Sequence, residues 1–268
     1  MTTTSDRSRP LALVTGASSG IGLELARQFG RHGFDLLVNA EDDAIETVAR
    51  ELSTDGCSAR AVRADLSTPD GVEQLYAAVA GSERPLDAAA LNAGVGEGGA
   101  FLDTDLADEL EIVDVNVRST VHLAKLLLRD MAARDEGRIL VTSSIASTMP
   151  GSFQAVYNAS KSFLQSFAEA LQEELKDTGI TVTSLMPGPT ETNFFHRADM
   201  DDTKIGSSAK DDPAQVAAQG FEALMKGRGR VVGGSFKTKA QEAMNKALPD
   251  RAKARAHRTM AEPGSGEE

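Results

Sequence analysis

The stretch at residues 15–22, TGASSGIG, constrains the fold of this chain most strongly. It follows an apolar run at 11–14 and precedes an amphipathic run at 21–31. This order predicts a strand, a glycine turn and the start of a helix. Helix N-termini offer free N–H groups to anions, and glycines let the backbone approach a pyrophosphate closely. The spacing of Gly16, Gly20 and Gly22 differs from G-x-G-x-x-G, so the stretch alone leaves a phosphate cradle and a ligand-free turn both open.

Apolar runs and helical periodicities alternate along the rest of the chain. Further strands are predicted at 34–38, 58–64, 87–91, 138–142, 180–186 and 230–232, and helices at 42–52, 69–80, 106–131, 154–176 and 213–225. Such alternation predicts βαβ units, and therefore a doubly wound, parallel, seven-stranded α/β sheet of the Rossmann type with helices on both faces. We expect a single domain over residues 10–235, preceded by a flexible N-terminus at 1–9.

Composition excludes several classes of protein. The formal net charge of −12 argues against nucleic acid as a partner, because phosphate binding requires a basic surface. The only cysteine, Cys57, rules out an intrachain disulfide and suits a reducing compartment. The chain shows no apolar leader and no apolar run of membrane-spanning length. We therefore expect a cytoplasmic protein with no membrane insertion and no metal site.

Polar residues and glycines follow five of the predicted strands. In parallel sheets of this type the ligand lies beyond the carboxyl ends of the strands, where the strand order switches. The pattern predicts one extended pocket, although strand ends are often polar in any protein. These strand-end segments are Thr15-Gly16, Asp65-Leu66, Asn92-Ala93-Gly94, Ser143-Ser144 and Pro187-Gly188.

Tyr157 and Lys161 are spaced i, i+4 on a predicted helix, so they share one face. A nearby ammonium favours the phenolate and lowers the pKa of a tyrosine toward the range of acid–base catalysis. An isolated Y-x-x-x-K, however, is more often a tyrosine packed at a helix surface beside a solvated lysine.

Taken together, these motifs resemble the short-chain dehydrogenase/reductase family over residues 10–235. The resemblance rests on TGASSGIG, Asp65, the N-A-G at 92–94, Asn116, Ser144, the Y-x-x-x-K and the Pro187-Gly188 segment followed by Thr192. It implies a nicotinamide cofactor bound by Gly16, Ser18, Ser19, Gly20, Ile21, Gly22, Glu41, Asp65, Leu66, Asn92, Ala93, Gly94, Tyr157, Lys161, Pro187, Gly188, Thr190 and Thr192.

The resemblance also implies a catalytic tetrad of Asn116, Ser144, Tyr157 and Lys161. Ser144 precedes Tyr157 by the family's spacing, whereas Ser143 does not. Hydride would pass between the cofactor and a partly apolar ketone, aldehyde or secondary alcohol, with Tyr157 as the general acid/base. Substrate contacts would come from Ser144, Tyr157, Phe194 and Phe195. The alternative is a cofactor-binding sensor or scaffold without turnover; a dehydratase or epimerase variant is a further possibility.

Two features near the site bear on specificity. Glu41 stands where relatives that use NADP usually carry a basic residue, and Asp42 and Asp43 follow it. Carboxylates there would repel a 2′-phosphate, so we expect NAD, with NADP possible. The loop at 189–212 is expected to cover the site, with His196 on its surface rather than in catalysis.

The C-terminal extension at 236–259 has an excess of cations, and the helical spacing of its apolar residues predicts an amphipathic helix at 236–248. Three interpretations are open: its apolar stripe packs on the domain with its cations toward the acidic body, it binds an anionic membrane, or it blocks the edge through which tetramers of the family pair. We expect the first and third together. These predict a homodimer formed through the helices around Asn116 and Tyr157, and a disordered tail at 260–268.

Overall fold

The computed structural model of the protein describes residues 9–54 and 57–267. Its centre is one parallel sheet of seven strands in the order β3-β2-β1-β4-β5-β6-β7, so the predicted fold class is confirmed. The predicted flexible segment at 1–9 lies outside the described residues except for Arg9. The strands are β1 Leu11–Thr15, β2 Asp35–Ala40, β3 Ala59–Arg63, β4 Leu86–Leu91, β5 Gly137–Thr142, β6 Ile180–Pro187 and β7 Arg230–Gly233.

Helices cover both faces of the sheet and bury two apolar layers. One layer lies around Phe29 and Phe221, and the other around Leu75, Leu127 and Ile139. The five inner strands are buried almost throughout, as expected for a parallel sheet between helices, whereas the edge strands β3 and β7 are only partly buried. The helices are α1 Gly20–Arg31, α2 Ala44–Thr54, α3 Pro69–Ala80, α4 Leu106–Ile112, α5 Ser119–Arg134, α6 Ala155–Glu174, α7 Phe194–Arg197, α8 Lys204–Ser207, α9 Pro213–Met225, α10 Phe236–Ala247 and α11 Asp250–Ala261.

Two of these helices begin and end where the sequence predicts. α3 and α9 each start at a proline that follows a capping residue. The Thr68 hydroxyl accepts from the Gly71 N–H, and the Asp212 carboxylate accepts from the Ala214 N–H. Proline lacks an N–H and suits the first helical position, while the cap satisfies a free donor.

The predicted single helix at 106–131 is instead interrupted. A π-helical segment, Val113–Arg118, joins α4 to α5. A π-helix is a widened turn that is often found at functional sites. The loop predicted at 187–212 likewise contains the two short helices α7 and α8.

The C-terminal helix α10 forms as predicted, but it turns the opposite face inward. Phe236 and Met244 are 86% and 59% exposed, whereas Glu242 and Asn245 are buried. The buried polar groups have partners: Glu242 pairs with Arg230, and the Asn245 amide donates to Thr148 Oγ1 over 3.2 Å. The expectation that the apolar stripe packs on the domain is therefore wrong.

The segment after α10 is also more ordered than predicted. α11 continues to Ala261, which is buried against α7 and the chain that follows it. The Gly264 and Gly266 N–H groups donate to the Asp202 carboxylate and carbonyl over 2.6 and 2.7 Å. These contacts oppose the disordered tail that we predicted for 260–268, of which residue 268 lies outside the described part. Among the described residues, no helix is long and apolar enough to cross a bilayer.

Candidate active site

The pocket of interest opens where the strand order switches, because β1 pairs with β2 on one side and with β4 on the other. The turn between β1 and α1 forms one end of it, hereafter the glycine end. Gly16 and Gly20 have φ values of +63° and +55°, a region that side chains disfavour. A Cβ at Gly22 would lie 2.0 Å from the Gly16 carbonyl oxygen. The turn therefore requires its glycines, and it exposes backbone rather than side chains.

Asn92, directly after β4, holds the neighbouring strands together. Its backbone N–H donates to Thr15 Oγ1 over 2.9 Å, and its side-chain amide donates to the Thr15 carbonyl over 3.3 Å. On the other side, Thr142 Oγ1 donates to Asn92 Oδ1 over 3.0 Å. One asparagine thus fixes the ends of β1, β4 and β5 around the pocket.

Asn116 lies in the π-helical segment and is completely buried. Its side-chain amide donates to the Val95 carbonyl and to Ser160 Oγ, both over 3.0 Å, and its Oδ1 accepts from the Val95 N–H over 2.9 Å. Asn116 thus joins the segment after β4 to α6 from behind the pocket. It does not line the pocket itself, so its contacts are with the chain that surrounds the pocket.

Tyr157 and Lys161 lie on the same face of α6 and line the other end of the pocket, hereafter the tyrosine end. Lys161 Nζ is 5.7 Å from the centre of the Tyr157 ring and donates to the Thr142 carbonyl over 3.1 Å. The Tyr157 ring lies beside that of Phe194, with 5.1 Å between centroids. The two side chains thus share one wall of the pocket, close to the end of β5.

Burial dominates the protonation of this pair. It raises the pKa of Tyr157 to about 12, and a hydrogen bond with Ser144 only partly opposes the rise. It lowers the pKa of Lys161 to about 8, since the low-dielectric site disfavours the ammonium. In the protein alone the pKa of Tyr157 is thus raised, and not lowered as expected, because burial of the phenol dominates.

The structure brings almost all of the predicted site residues together. Every predicted cofactor and substrate residue lines this one pocket, together with Ser144 at the tyrosine end. Thr192 reaches the glycine end, where a Cβ on Gly20 would lie 2.9 Å from its methyl group. His196 lies on the surface and pairs with Asp201, which agrees with its expected place on the covering loop.

Four residues that sequence reasoning missed also line the tyrosine end: Gln154, Gln241, His257 and Met260. Gln154 stands three residues before Tyr157, a spacing that could have been noticed because it places both near the start of one helix. The other three come from α10 and α11, and no local pattern links them to the pocket.

A cation that the sequence did not suggest contacts the residues next to the glycine end. Glu41 and Asp42 line the pocket, and the Asp42 carboxylate accepts from Ser18 Oγ over 2.8 Å. Arg63 stands beside them: it forms an ion pair with Asp43, and its Nε donates to the Glu41 carbonyl over 2.9 Å. One of the three carboxylates expected near a cofactor ribose is therefore neutralised.

Comparison with known proteins agrees with this geometry. Residues 10–203 match the family model described as short chain dehydrogenase. The oxidoreductase UcpA of Salmonella typhimurium is 33% identical over 216 residues, which cover 80% of this chain and 79% of that protein. The chain therefore belongs to the short-chain dehydrogenase family.

Solved structures show the same architecture. A short chain dehydrogenase/reductase from Burkholderia phymatum in complex with NAD superposes with a TM-score of 0.81 at 23% identity, covering 91% of this chain and 94% of that one. A variant of actinorhodin polyketide ketoreductase with NADPH has a TM-score of 0.74 at 30% identity, covering 84% and 96%. Both likenesses extend over most of the chain.

Proposed function

We propose that the protein transfers a hydride between a nicotinamide cofactor and a partly apolar ketone, aldehyde or secondary alcohol. One observation carries the proposal: Ser144, Tyr157 and Lys161 meet at one end of a pocket whose other end is a glycine turn at a helix N-terminus. Such a turn suits a pyrophosphate, and the tyrosine end suits a carbonyl oxygen that gains or loses a proton. Its apolar walls, which include Phe194 and Phe195, favour a substrate with apolar substituents.

The residues at the glycine end fit a dinucleotide. A Cβ added at Gly16 or Gly22 would lie under 3.0 Å from neighbouring backbone atoms, so neither position accepts a larger residue. The Ser19 side chain caps no N–H of α1. The N–H groups at the start of α1 would hold the pyrophosphate. Asp65 and Leu66 would border the adenine. The nicotinamide end would be held by Pro187, Gly188, Thr190 and Thr192. A bound nicotinamide would supply or accept the hydride.

The protein's own groups would handle the proton. With its pKa raised to about 12, Tyr157 carries its proton at neutral pH and can donate it to a substrate oxygen. Ser144 lies close enough to Tyr157 to hydrogen-bond with it, so it can also donate to that oxygen and stabilise developing charge. The ammonium of Lys161 would contact the cofactor ribose and favour the phenolate after proton transfer. Asn116 would keep α6 in place.

Substitution of Tyr157 tests this assignment. Tyr157→Phe keeps the ring beside Phe194 and removes the titrating hydroxyl, so turnover should fall by at least about a hundredfold. Turnover is followed by nicotinamide absorbance with a panel of ketones, aldehydes and alcohols and both cofactors. Near-normal rates in Tyr157→Phe would contradict the proposed role. Cofactor binding without turnover of any compound by the unaltered protein would instead support the sensor alternative.

We also propose a preference for NAD over NADP. Glu41 and Asp42 both line the pocket at the glycine end, where a carboxylate can accept from a ribose hydroxyl and would repel a 2′-phosphate. Arg63 weakens this argument because it neutralises Asp43, and the related ketoreductase structure contains NADPH. Equilibrium titration that follows the nicotinamide fluorescence of NADH and of NADPH decides the matter: a lower Kd for NADPH would refute the preference.

The proposal includes a homodimer in the cytoplasm. α4 and α6 present exposed apolar side chains near the pocket, among them Leu106, Leu110 and Phe163, which are 66%, 52% and 44% exposed. Exposed apolar side chains grouped in this way favour a protein–protein contact. α10 lies against the edge strand β7. In this position it would block the edge through which tetramers of the family pair, which supports a dimer.

A further inference from the structure

The C-terminal helices close the tyrosine end of the pocket. Gln241 from α10, and His257 and Met260 from α11, line the pocket together with Tyr157. All three lie beyond residue 203, where the match to the family model ends. This wall therefore belongs to the part of the chain outside that match, and it is the place to look for a feature that selects this protein's own substrate.

Gln154 lines the same pocket, and its side-chain amide has an unused hydrogen-bond donor. Its side chain is 5% exposed and lines the pocket, and its Nε2 is buried with no partner among the described residues. A buried amide without a partner costs about 1–3 kcal/mol, and native proteins leave few of them. A ligand atom that accepts a hydrogen bond would satisfy Nε2.

His257 supplies the complementary group. It is 5% exposed, and its Nδ1 lies 2.9 Å from the Ser152 carbonyl oxygen. A carbonyl only accepts, so Nδ1 carries the proton and Nε2 keeps its lone pair. Burial lowers the pKa of the imidazole, which favours this neutral form. A second bond, from Ser152 Oγ to the Ala254 carbonyl over 3.1 Å, fixes α11 to the segment that carries Gln154.

We infer that Gln154 and His257 form a polar subsite for a hydroxyl group of the substrate, separate from the carbon that exchanges the hydride. A hydroxyl accepts from Gln154 Nε2 and donates to His257 Nε2. A carboxylate has no proton for His257, and a methyl group satisfies neither residue. Apolar side chains also line the pocket, among them Ile145, Met149 and Ile205. The substrate class is therefore a hydroxyketone, or the corresponding diol, with otherwise apolar substituents.

This inference rests on the proposed carbonyl reduction, and matched substrates test it. The full chain is assayed with the ortho, meta and para hydroxyacetophenones and with the corresponding methylacetophenones, which have similar size. For at least one position, kcat/KM for the hydroxy compound should exceed that for the methyl compound by at least about tenfold, because a site built to bind a hydroxyl rejects an analogue that lacks it.

The outcomes separate the inference from the proposed function. If carbonyl compounds are reduced but no hydroxy isomer is preferred, the subsite is refuted while the carbonyl reductase remains. If no compound of this set or of the carbonyl panel is reduced, both are refuted.

Two substitutions assign the preference to its residues. Gln154→Leu removes the donor, and His257→Asn removes Nε2 while keeping an amide that can donate to the Ser152 carbonyl. Each should bring the ratio of kcat/KM for hydroxy over methyl compounds close to one. Gln172→Leu is the matched control on α6, since its amide bonds the Gly229 carbonyl away from the pocket, and it should keep the ratio. A ratio unchanged in both Gln154→Leu and His257→Asn would overturn the subsite.

Discussion

Replacing Lys161 should make the protein more stable at neutral pH while impairing its function. Lys161 is 4% exposed, and burial lowers its pKa from 10.5 to about 8. At about 1.4 kcal/mol per pH unit, keeping the ammonium charged in the folded state costs about 3 kcal/mol. Lys161→Met removes that cost. It also removes the bond to the Thr142 carbonyl, which costs about 1–3 kcal/mol if that oxygen stays unpaired.

The expected net gain in the free energy of unfolding is therefore about 0–2 kcal/mol near pH 7, or a rise of a few degrees in Tm. Its pH dependence has a definite sign. The pKa is lowered on folding, so the folded protein carries the full cost of the charge below about pH 8. The cost disappears as the pH rises toward 10.5, the unshifted value. The advantage of Lys161→Met should shrink over the same interval.

Urea unfolding of the unaltered protein and of Lys161→Met, at about pH 7 and about pH 10, measures both effects. Lys125→Met is the control, because Lys125 is exposed on α5 and its replacement should change stability by less than about 0.5 kcal/mol. If Lys161→Met is destabilised by more than about 2 kcal/mol at neutral pH, or if its effect is the same at both pH values, the argument from desolvation is wrong.

Three further predictions follow from the described contacts. Gly22→Ala should weaken NADH binding at least about tenfold and lower stability by about 1–3 kcal/mol, because the new Cβ would meet the Gly16 carbonyl oxygen. The control is Gly30→Ala in the same helix, where the new Cβ would lie 3.2 Å from Cys57 Sγ, and this variant should bind NADH normally. Equal affinities of the two variants for NADH would count against a pyrophosphate cradle at the glycine turn. The chain has two tyrosines, and the pKa of each is raised: that of Tyr76 by a hydrogen bond to Asp130 and that of Tyr157 by burial. Phenolate absorbance in the native protein should therefore develop only above about pH 10. A titration midpoint at lower pH would show that the surroundings of one of the two tyrosines are wrong. Light scattering of the intact protein should give the mass of a dimer, and a tetramer would refute the proposed assembly.

Much of the fold could be predicted because its signals are local. An apolar run, a glycine turn and helical spacing specify each βαβ unit, and the proline and capping residue at the start of α3 fix its first turn. The pocket follows from the same pattern, since residues after parallel strands gather at one edge of the sheet. Asn92 and Ser144 could therefore be placed at the pocket without knowledge of any contact.

The C-terminal helices could not be predicted in the same way, because their partners are distant in sequence. Helical spacing predicts that α10 is a helix but not which of its faces turns toward the domain. That face is set by two contacts: Glu242 pairs with Arg230, and Asn245 with Thr148. His257 reaches the pocket only because Ser152 accepts its Nδ1 proton. The pKa of Tyr157 was misjudged for a related reason: spacing reveals a neighbouring charge but not the depth of burial.

The π-helical segment at 113–118 constrains the number of residues in this part of the chain as well as their identity. A widened turn holds one residue more than an α-helical turn. Deleting any one residue there would allow a regular helix from α4 into α5, and it would displace the residues of the widened turn itself relative to those two helices. Asn116 would then turn away from Val95 and Ser160, even if every remaining side chain were conserved. In this stretch a gap between homologous chains should be far more damaging than a substitution.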